Sequence, residues 1–353
     1  MKKPYVVLIG LLILSLVFAS CASAATGEPA VTEEPAMAEE PAEAVEEAAE
    51  PFRVAVVMPS AINDVAFSQS MYEALLYVQE EMGGAEAFEF VYSENMFVVD
   101  DAAAAIRDYA TQGYNLIIAH GSQFGSSLQE IAPDFPDTSF AWGTTLDTFG
   151  EPNIFAYEAA SQEGGYVNGV LAASLSTSNK IGVIGPIETG DAKLYVDGFK
   201  VGAEATDPTI DVSVNWTGSF SDVALASEAA TTHIANGADV LTGSAQMVVG
   251  AIGKAQESDV LWFGTQANQT ALAPSIVVAS QVYHWEGVLQ EMIDLINAGT
   301  LGGQSFTLTL ANGGEVIEFN PDYELSDEVK ALADSTIQGI IDGTITIELP
   351  TAE

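Results

Sequence analysis

Uncharged amide and hydroxyl side chains recur in this chain wherever an apolar run ends. Asn63, Asp64 and Gln69 follow VAVVMP; His120, Gly121, Ser122 and Gln123 follow NLIIA; Gly243, Ser244 and Gln246 follow ADVLT; Thr265, Gln266 and Asn268 follow DVLWFG. Two aromatic residues share this polar setting, Phe67 in INDVAFSQ and Phe220 in TGSFSDV. Two aromatic faces with amides and a carboxylate beside them fit a flat, neutral heterocycle stacked between rings and read along its edge. A sugar uses the same groups, so composition leaves both open. Asp64, Asn63 and Ser122 also stand where a helix N-cap would stand.

Signatures of catalysis are sparse. The first apolar run is followed neither by the glycine pattern of a dinucleotide site nor by a phosphate loop. No nucleophile elbow or zinc-protease helix occurs, and the three histidines, His120, His233 and His284, lie far apart in sequence. Neither a metal nor a cofactor is expected. His233, near a helix end, reads as a solvated or capping residue; His120 and His284 divide between site and structural duty. A hydrolase using Asp64 or His120 as base would need a partner that the motifs do not supply.

The elements that must carry these residues alternate. VAVVMP, FEFVYS, NLIIAH and SFAWG read as strands, separated by helices near 64–82, 99–112 and 124–132. The rhythm restarts at KIGVIGP and continues through DVSVNW, ADVLTG and DVLWFG, with helices near 190–205, 222–236 and 246–257. Strands alternating with helices imply an α/β protein with parallel sheets covered on both faces. QGYNLIIAHGSQF at 112–124 is echoed by NGADVLTGSAQMV at 236–248, which points to two lobes of one design. In such sheets ligands sit beyond the carboxyl ends of the strands, so facing lobes bring the polar loops together. A helix near 284–298 and strands near 305–319 cross back between lobes.

Composition narrows the partners. There are 9 Lys and Arg against 50 Asp and Glu, a net charge of −41, which opposes nucleic acid and phosphate-bearing ligands. Lys2 and Lys3 precede the apolar run YVVLIGLLILSLVFA, as in an export signal. FASC then places Cys21, the sole cysteine, as in a bacterial lipoprotein; cleavage after Ala24 is the alternative. The next segment is rich in Ala, Glu and Pro and lacks aromatics, so it reads as a flexible tether with a reach of roughly 30 Å. The expected organisation is a lipoprotein signal peptide over residues 1–20 and a disordered tether over 21–51. Lobe 1 takes 52–157 plus about 283–312, and lobe 2 takes 158–282 plus about 313–349.

INDVAFSQSMYEAL resembles the first loop of the basic membrane protein family of bacterial substrate-binding lipoproteins, which serve ABC importers and include purine nucleoside receptors. The likeness extends over YEAASQEGGYVNGVLAASLSTSNKIGVIG and WTGSFSDVALASEAATTHIANGAD, from about Val54 to Ile340. It implies a two-lobed type I periplasmic-binding fold, and a non-enzymatic, monomeric receptor tethered to the membrane through lipid on Cys21. It also implies a purine ligand and ABC permease and ATPase subunits as partners. By the same resemblance Phe67 and Phe220 stack on the base while Asn63 and Asp64 read its edge. Nucleoside receptors carry an aspartate after the strand matching WFG and a lysine after a later strand, which together hold ribose. Here Gln266 and Asn268 occupy the first region and Tyr283 stands at the lysine. The pair His284 and Trp285 is similar to a subgroup that includes adenine-binding members, which favours a purine base over a nucleoside. The expected ligand set is Asn63, Asp64, Phe67, His120, Gly121, Ser122, Phe220, Ser244, Gln266, Asn268, His284 and Trp285. Alternatives are a receptor for a sugar or other small neutral solute, a periplasmic nucleosidase, and a ligand-sensing lipoprotein.

Overall fold

The computed structural model describes residues 50–350; the signal segment, Cys21 and residues 21–49 of the expected tether lie outside the described residues. From Phe52 the chain lays down β1 (Phe52–Val57), α1 (Phe67–Glu81), β2 (Phe88–Ser93), α2 (Val99–Thr111), β3 (Leu116–His120), α3 (Gly125–Ile131), β4 (Ser139–Gly143) and β5 (Ile154–Ala159). A second series follows: α4 (Gln162–Leu175), β6 (Lys180–Gly185), α5 (Gly190–Thr206), β7 (Asp211–Trp216), α6 (Val223–Ala235), β8 (Val240–Gly243), α7 (Val249–Glu257), β9 (Leu261–Gly264) and β10 (Val277–Tyr283). The last elements are α8 (Glu286–Asn297), β11 (Ser305–Leu308), β12 (Glu315–Phe319) and α9 (Asp327–Ile341).

Two sheets result, in the orders β11-β5-β4-β3-β1-β2 and β12-β10-β9-β8-β6-β7. The first is parallel throughout; the second is parallel except for its edge strand β12, which runs antiparallel to β10. The chain therefore passes between lobes three times: after β5, after β10, and between β11 and β12. Each sheet is covered on both faces, and the strands show why. Side chains alternate across a sheet, so Val54 and Val56 enter one core with α1 and α8 while Ala55 and Val57 enter the opposite core with α2 and α3. In the second lobe Val240 joins the core under α4, α5 and α9, and its neighbour Leu241 joins the core under α6 and α7. A strand buried on both faces has no polar alternation, which explains the continuous apolar runs.

Helices α4 and α5 approach unusually closely. A Cβ on Gly165 or Gly169 would strike the backbone of Tyr195 or Phe199, and one on Gly198 or Gly202 would strike that of Gln162 or Tyr166. This contact fixes the axis of α5 and, with it, the position of the helix's first turn at the carboxyl end of the sheet. The late segments differ from the sequence reading by addition: α4, β10 and the amphipathic α9 complete the second lobe. His233 is corrected as well. It is buried rather than solvated, lying against Gly182, and burial lowers its pKa.

Candidate functional site

In each sheet the chain order reverses beside the first strand of the lobe: β1 lies between β2 and β3, and β6 between β7 and β8. Loops leaving such a pair diverge to opposite faces and open a crevice beyond the strand ends. The two crevices face one another across a small cavity. The first lobe lines it with Pro59, Phe67, Gly121, Ser122, Gln123 and Thr144, and the second with Asp191, Ala192, Phe220, Ala245, Gln246 and Gln266. All of these follow the carboxyl ends of strands.

The loop after β1 is built around Asp64. Its carboxylate accepts the backbone N–H groups of Ala66 (2.9 Å), Ser68 (3.1 Å) and Gln69 (3.1 Å), and also the hydroxyl of Ser60. Burial pushes this carboxyl above its ordinary value, and the hydrogen bonds from Ser60, Gln69, Ala66 and Ser68 pull it back. Asp64 thus satisfies orphan donors at the start of α1, and its lone pairs are spent on the loop. Between it and the helix, Val65 adopts φ 52°, a left-handed conformation that costs a β-branched residue about 1–2 kcal/mol. Gln269 of the second lobe donates to the Val65 carbonyl at 3.3 Å, one of the bonds that hold the lobes together.

This clamp aims Phe67. Its ring lies on the imidazole of His120, centroids 3.7 Å apart and 7° from parallel, with the edge of Trp285 6.3 Å away. The Phe67 carbonyl can only accept, so His120 Nε2 carries the proton (3.0 Å), and Nδ1 accepts from the Tyr157 hydroxyl (2.8 Å). Full burial lowers the His120 pKa to about 3, opposed by the bond to Phe67, and the ring stays neutral. Trp285 is completely buried, donating its indole N–H to Ser70 at 3.0 Å. His120 and Trp285 therefore stand behind Phe67 as support rather than in the cavity wall.

Opposite lies Asp191, in the first turn of α5. Tyr283 donates to its Oδ2 at 3.0 Å, Gln266 Nε2 reaches the same oxygen at 3.5 Å, and Thr144 of the first lobe reaches Oδ1 at 3.3 Å. Burial raises its pKa, with the hydrogen bonds from Tyr283, Gln266, Thr144 and the Ala192 backbone acting in the other direction. Gln266 Oε1, Gln246 Nε2 and Ser244 Oγ are buried without hydrogen-bond partners. Two cavity-lining residues, Ala245 (φ 72°) and Gln266 (φ 71°), join Val65 in left-handed backbone; such strain collects where a site is held in place.

The fold and this cleft can be set beside known proteins. The sequence profile of the Bmp family, described as ABC transporter substrate-binding protein PnrA-like, matches residues 52–349. The chain belongs to the Bmp family. Among curated relatives of this Bmp-family chain, a purine-binding protein of Brucella abortus is 26% identical over 298 residues, covering 84% of this chain and 83% of the relative. An ABC transporter nucleoside-binding protein of Lactococcus lactis is 26% identical over 307 residues, with 82% and 86% covered. A solute-binding protein of an Aeropyrum pernix ABC transporter superposes with a TM-score of 0.73 at 18% identity, covering 86% of this chain and 94% of that one, which establishes the shared fold. The Bmp-family chain is thus an ABC transporter substrate-binding protein of the two-lobed type I class.

Within this Bmp-family fold the expected ligand set divides. Phe67, Gly121, Ser122, Phe220 and Gln266 line the cavity. Ser244 is buried one residue before the lining Ala245. Others require correction. Asp64 is not placed as an edge reader, because it caps the loop, and Asn63 beside it faces solvent. Asn268 is exposed and donates to Glu318, and His284 lies outside the cleft beside Glu286, whose carboxylate raises its pKa. Asp191 and Thr144 were missed, and Gln246, noted after its strand, was left out of the expected ligand set. Asp191 had a usable signal: an acid at the end of the loop IGPIETGD after a strand, the same position in its lobe that Asp64 holds in the other.

Proposed function

We propose that this protein captures a purine, as the free base in preference to the nucleoside, between its lobes and delivers it to the permease of an ABC importer driven by ATPase subunits. The observation that carries this reading is the pair Phe67 and Phe220, one from each lobe, lining a small cavity whose lining, among the described residues, holds no lysine or arginine. Aromatic faces with amide groups suit a planar ring that carries no phosphate. Tyr283 favours a base without a sugar, its hydroxyl being turned onto Asp191 and Ser161 at the position where nucleoside receptors resemble one another in a lysine. The purine-binding and nucleoside-binding relatives support the same class.

In this reading Cys21 carries lipid, and a monomeric receptor works on the extracytoplasmic face of the membrane. Closure is coupled to capture because both lobes touch the ligand at once. Mass spectrometry of small molecules released by denaturing the purified protein tests the assignment directly, followed by titration calorimetry with adenine, adenosine and glucose. A released purine and tight adenine binding are expected. Binding of glucose with no binding of either purine would overturn the proposal in favour of a sugar receptor.

A further inference from the structure

The polar atoms left over in the cleft form a pattern. Gln266 is 3% exposed, and its Nε2 points to the Asp191 carboxylate, which can only accept; this fixes the amide orientation and leaves Oε1 as an unpartnered acceptor. Asp191 itself has no cation in the cavity lining, and Lys193, its nearest lysine in sequence, is engaged with Asp197 at 2.8 Å and Glu188 at 3.9 Å. Gln246 contributes the converse, a buried and unpartnered N–H donor. Asp191 already accepts from Tyr283, Gln266 and Thr144, so the free groups among the second-lobe residues that line the cavity are one acceptor, Gln266 Oε1, and one donor, Gln246 Nε2, opposite the platform that Phe67 makes in the first lobe.

We infer, on the reading that this cleft holds a planar purine-type ring, that the ring's edge is read from the second lobe by Gln266 and Gln246, with Asp191 holding the Gln266 amide in place, and that this pair selects an amino-bearing nitrogen heterocycle over its oxo-bearing counterpart. An exocyclic amino group donates to Gln266 Oε1, and the adjacent ring nitrogen accepts from Gln246 Nε2. An amide bonded to the amino and ring-nitrogen edge of adenine is a recurrent pairing in nucleic-acid recognition. An oxo group would set its lone pairs against Gln266 Oε1, leaving that buried acceptor unpaired, and a polar site rejects such an analogue strongly. The Asp191 carboxylate also repels nucleotides.

Titration calorimetry of ligand-free protein with adenine and with hypoxanthine tests this. Adenine is expected to bind at least about tenfold more tightly, the order of one good bidentate pair. In Asp191→Asn, whose side-chain N–H can pair with Gln266 Oε1 and turn the Gln266 N–H to the ligand, adenine should weaken by about tenfold or more while hypoxanthine holds or tightens. Gln266→Ala, which leaves Asp191 in place, should narrow the same ratio. Wild-type protein binding hypoxanthine as tightly as adenine, or Asp191→Asn weakening both bases by one factor, would overturn the inference and leave the purine reading standing. Wild-type protein binding neither base nor adenosine would overturn the purine reading and the inference with it.

Discussion

Removing the ring of Phe220 separates ligand contact from lobe stability more cleanly than any other change in the cleft. Phe220 lies in the loop between β7 and α6, half-buried and outside the hydrophobic cores of either lobe. Backbone bonds hold that loop: Thr217 N–H to the Gly185 carbonyl (2.9 Å), Gly218 N–H to Pro186 (2.8 Å) and Met247 N–H to Phe220 itself (3.1 Å). Asp222 caps α6 by accepting from Ala224 (3.0 Å) and Leu225 (3.1 Å). Alanine keeps every one of these bonds, so Phe220→Ala deletes a stacking face and little else. Stacking of a base on an aromatic side chain is worth about 1–3 kcal/mol, or about 5- to 150-fold in Kd. Phe67→Ala is a poorer probe. That ring is 7% exposed and packed on His120 and Trp285, and truncating a core phenylalanine costs about 3–5 kcal/mol of stability by itself. Calorimetric titration with adenine, paired with a thermal melt, reads the Phe220→Ala effect. An unchanged melting temperature with a Kd within about twofold of wild type would show that Phe220 does not touch the ligand.

Two further outcomes follow from the geometry. Gly190 has φ 53° and faces Thr144 across the cleft so closely that a Cβ would collide with the Thr144 hydroxyl. Gly190→Ala should prop the lobes apart, weakening adenine affinity by about tenfold, the loss of one interlobe bond with its left-handed strain; small-angle scattering that finds no opening would count against it. Glu315, fully buried, has its pKa raised by desolvation, with Glu163 and Asp191 adding to the rise and bonds from Gln281 and the Gly164 backbone opposing it; Tyr283 and Tyr195 face it as well. A carboxyl that holds its proton more tightly when folded stabilises the fold fully below its unfolded pKa, and that contribution is lost as pH rises through the folded value. The melting temperature should therefore fall from pH 5 to pH 8, and Glu315→Gln, which mimics the protonated form, should flatten the decline. Equal slopes in the two proteins would refute the assignment.

Much of the scaffold was legible along the chain. Runs such as VAVVMP and NLIIAH announce strands buried on both faces, and the echo of QGYNLIIAHGSQF in NGADVLTGSAQMV matches a shared unit, β3 and β8 each followed by a single 3-10 turn. Helix α4 escaped the periodicity because it is buried almost all round, and the tight glycine contact with α5 leaves no polar stripe to mark its phase. The site was legible only in part. Phe67 and Phe220 stood out because aromatic residues are unusual in polar loops. Asn63 and Asn268 carried the same kind of side chain at strand ends, yet face solvent.

Residue type and order by themselves determined the alternating α/β architecture, the absence of cations from the polar loops and the strand ends at which a ligand would be held, since these depend on local periodicity and composition. Only the tertiary structure decided which polar groups remain free. Asp64 and Asp191 both follow a strand near the start of a helix. Three backbone N–H groups of its own loop engage the first, while the second is engaged by Tyr283, Gln266 and Thr144 from separate segments and stands in the cavity wall, where it orients the Gln266 amide. Whether a carboxylate is spent on its own loop or on side chains that set the cavity wall depends on partners tens of residues away, and local sequence does not carry that information.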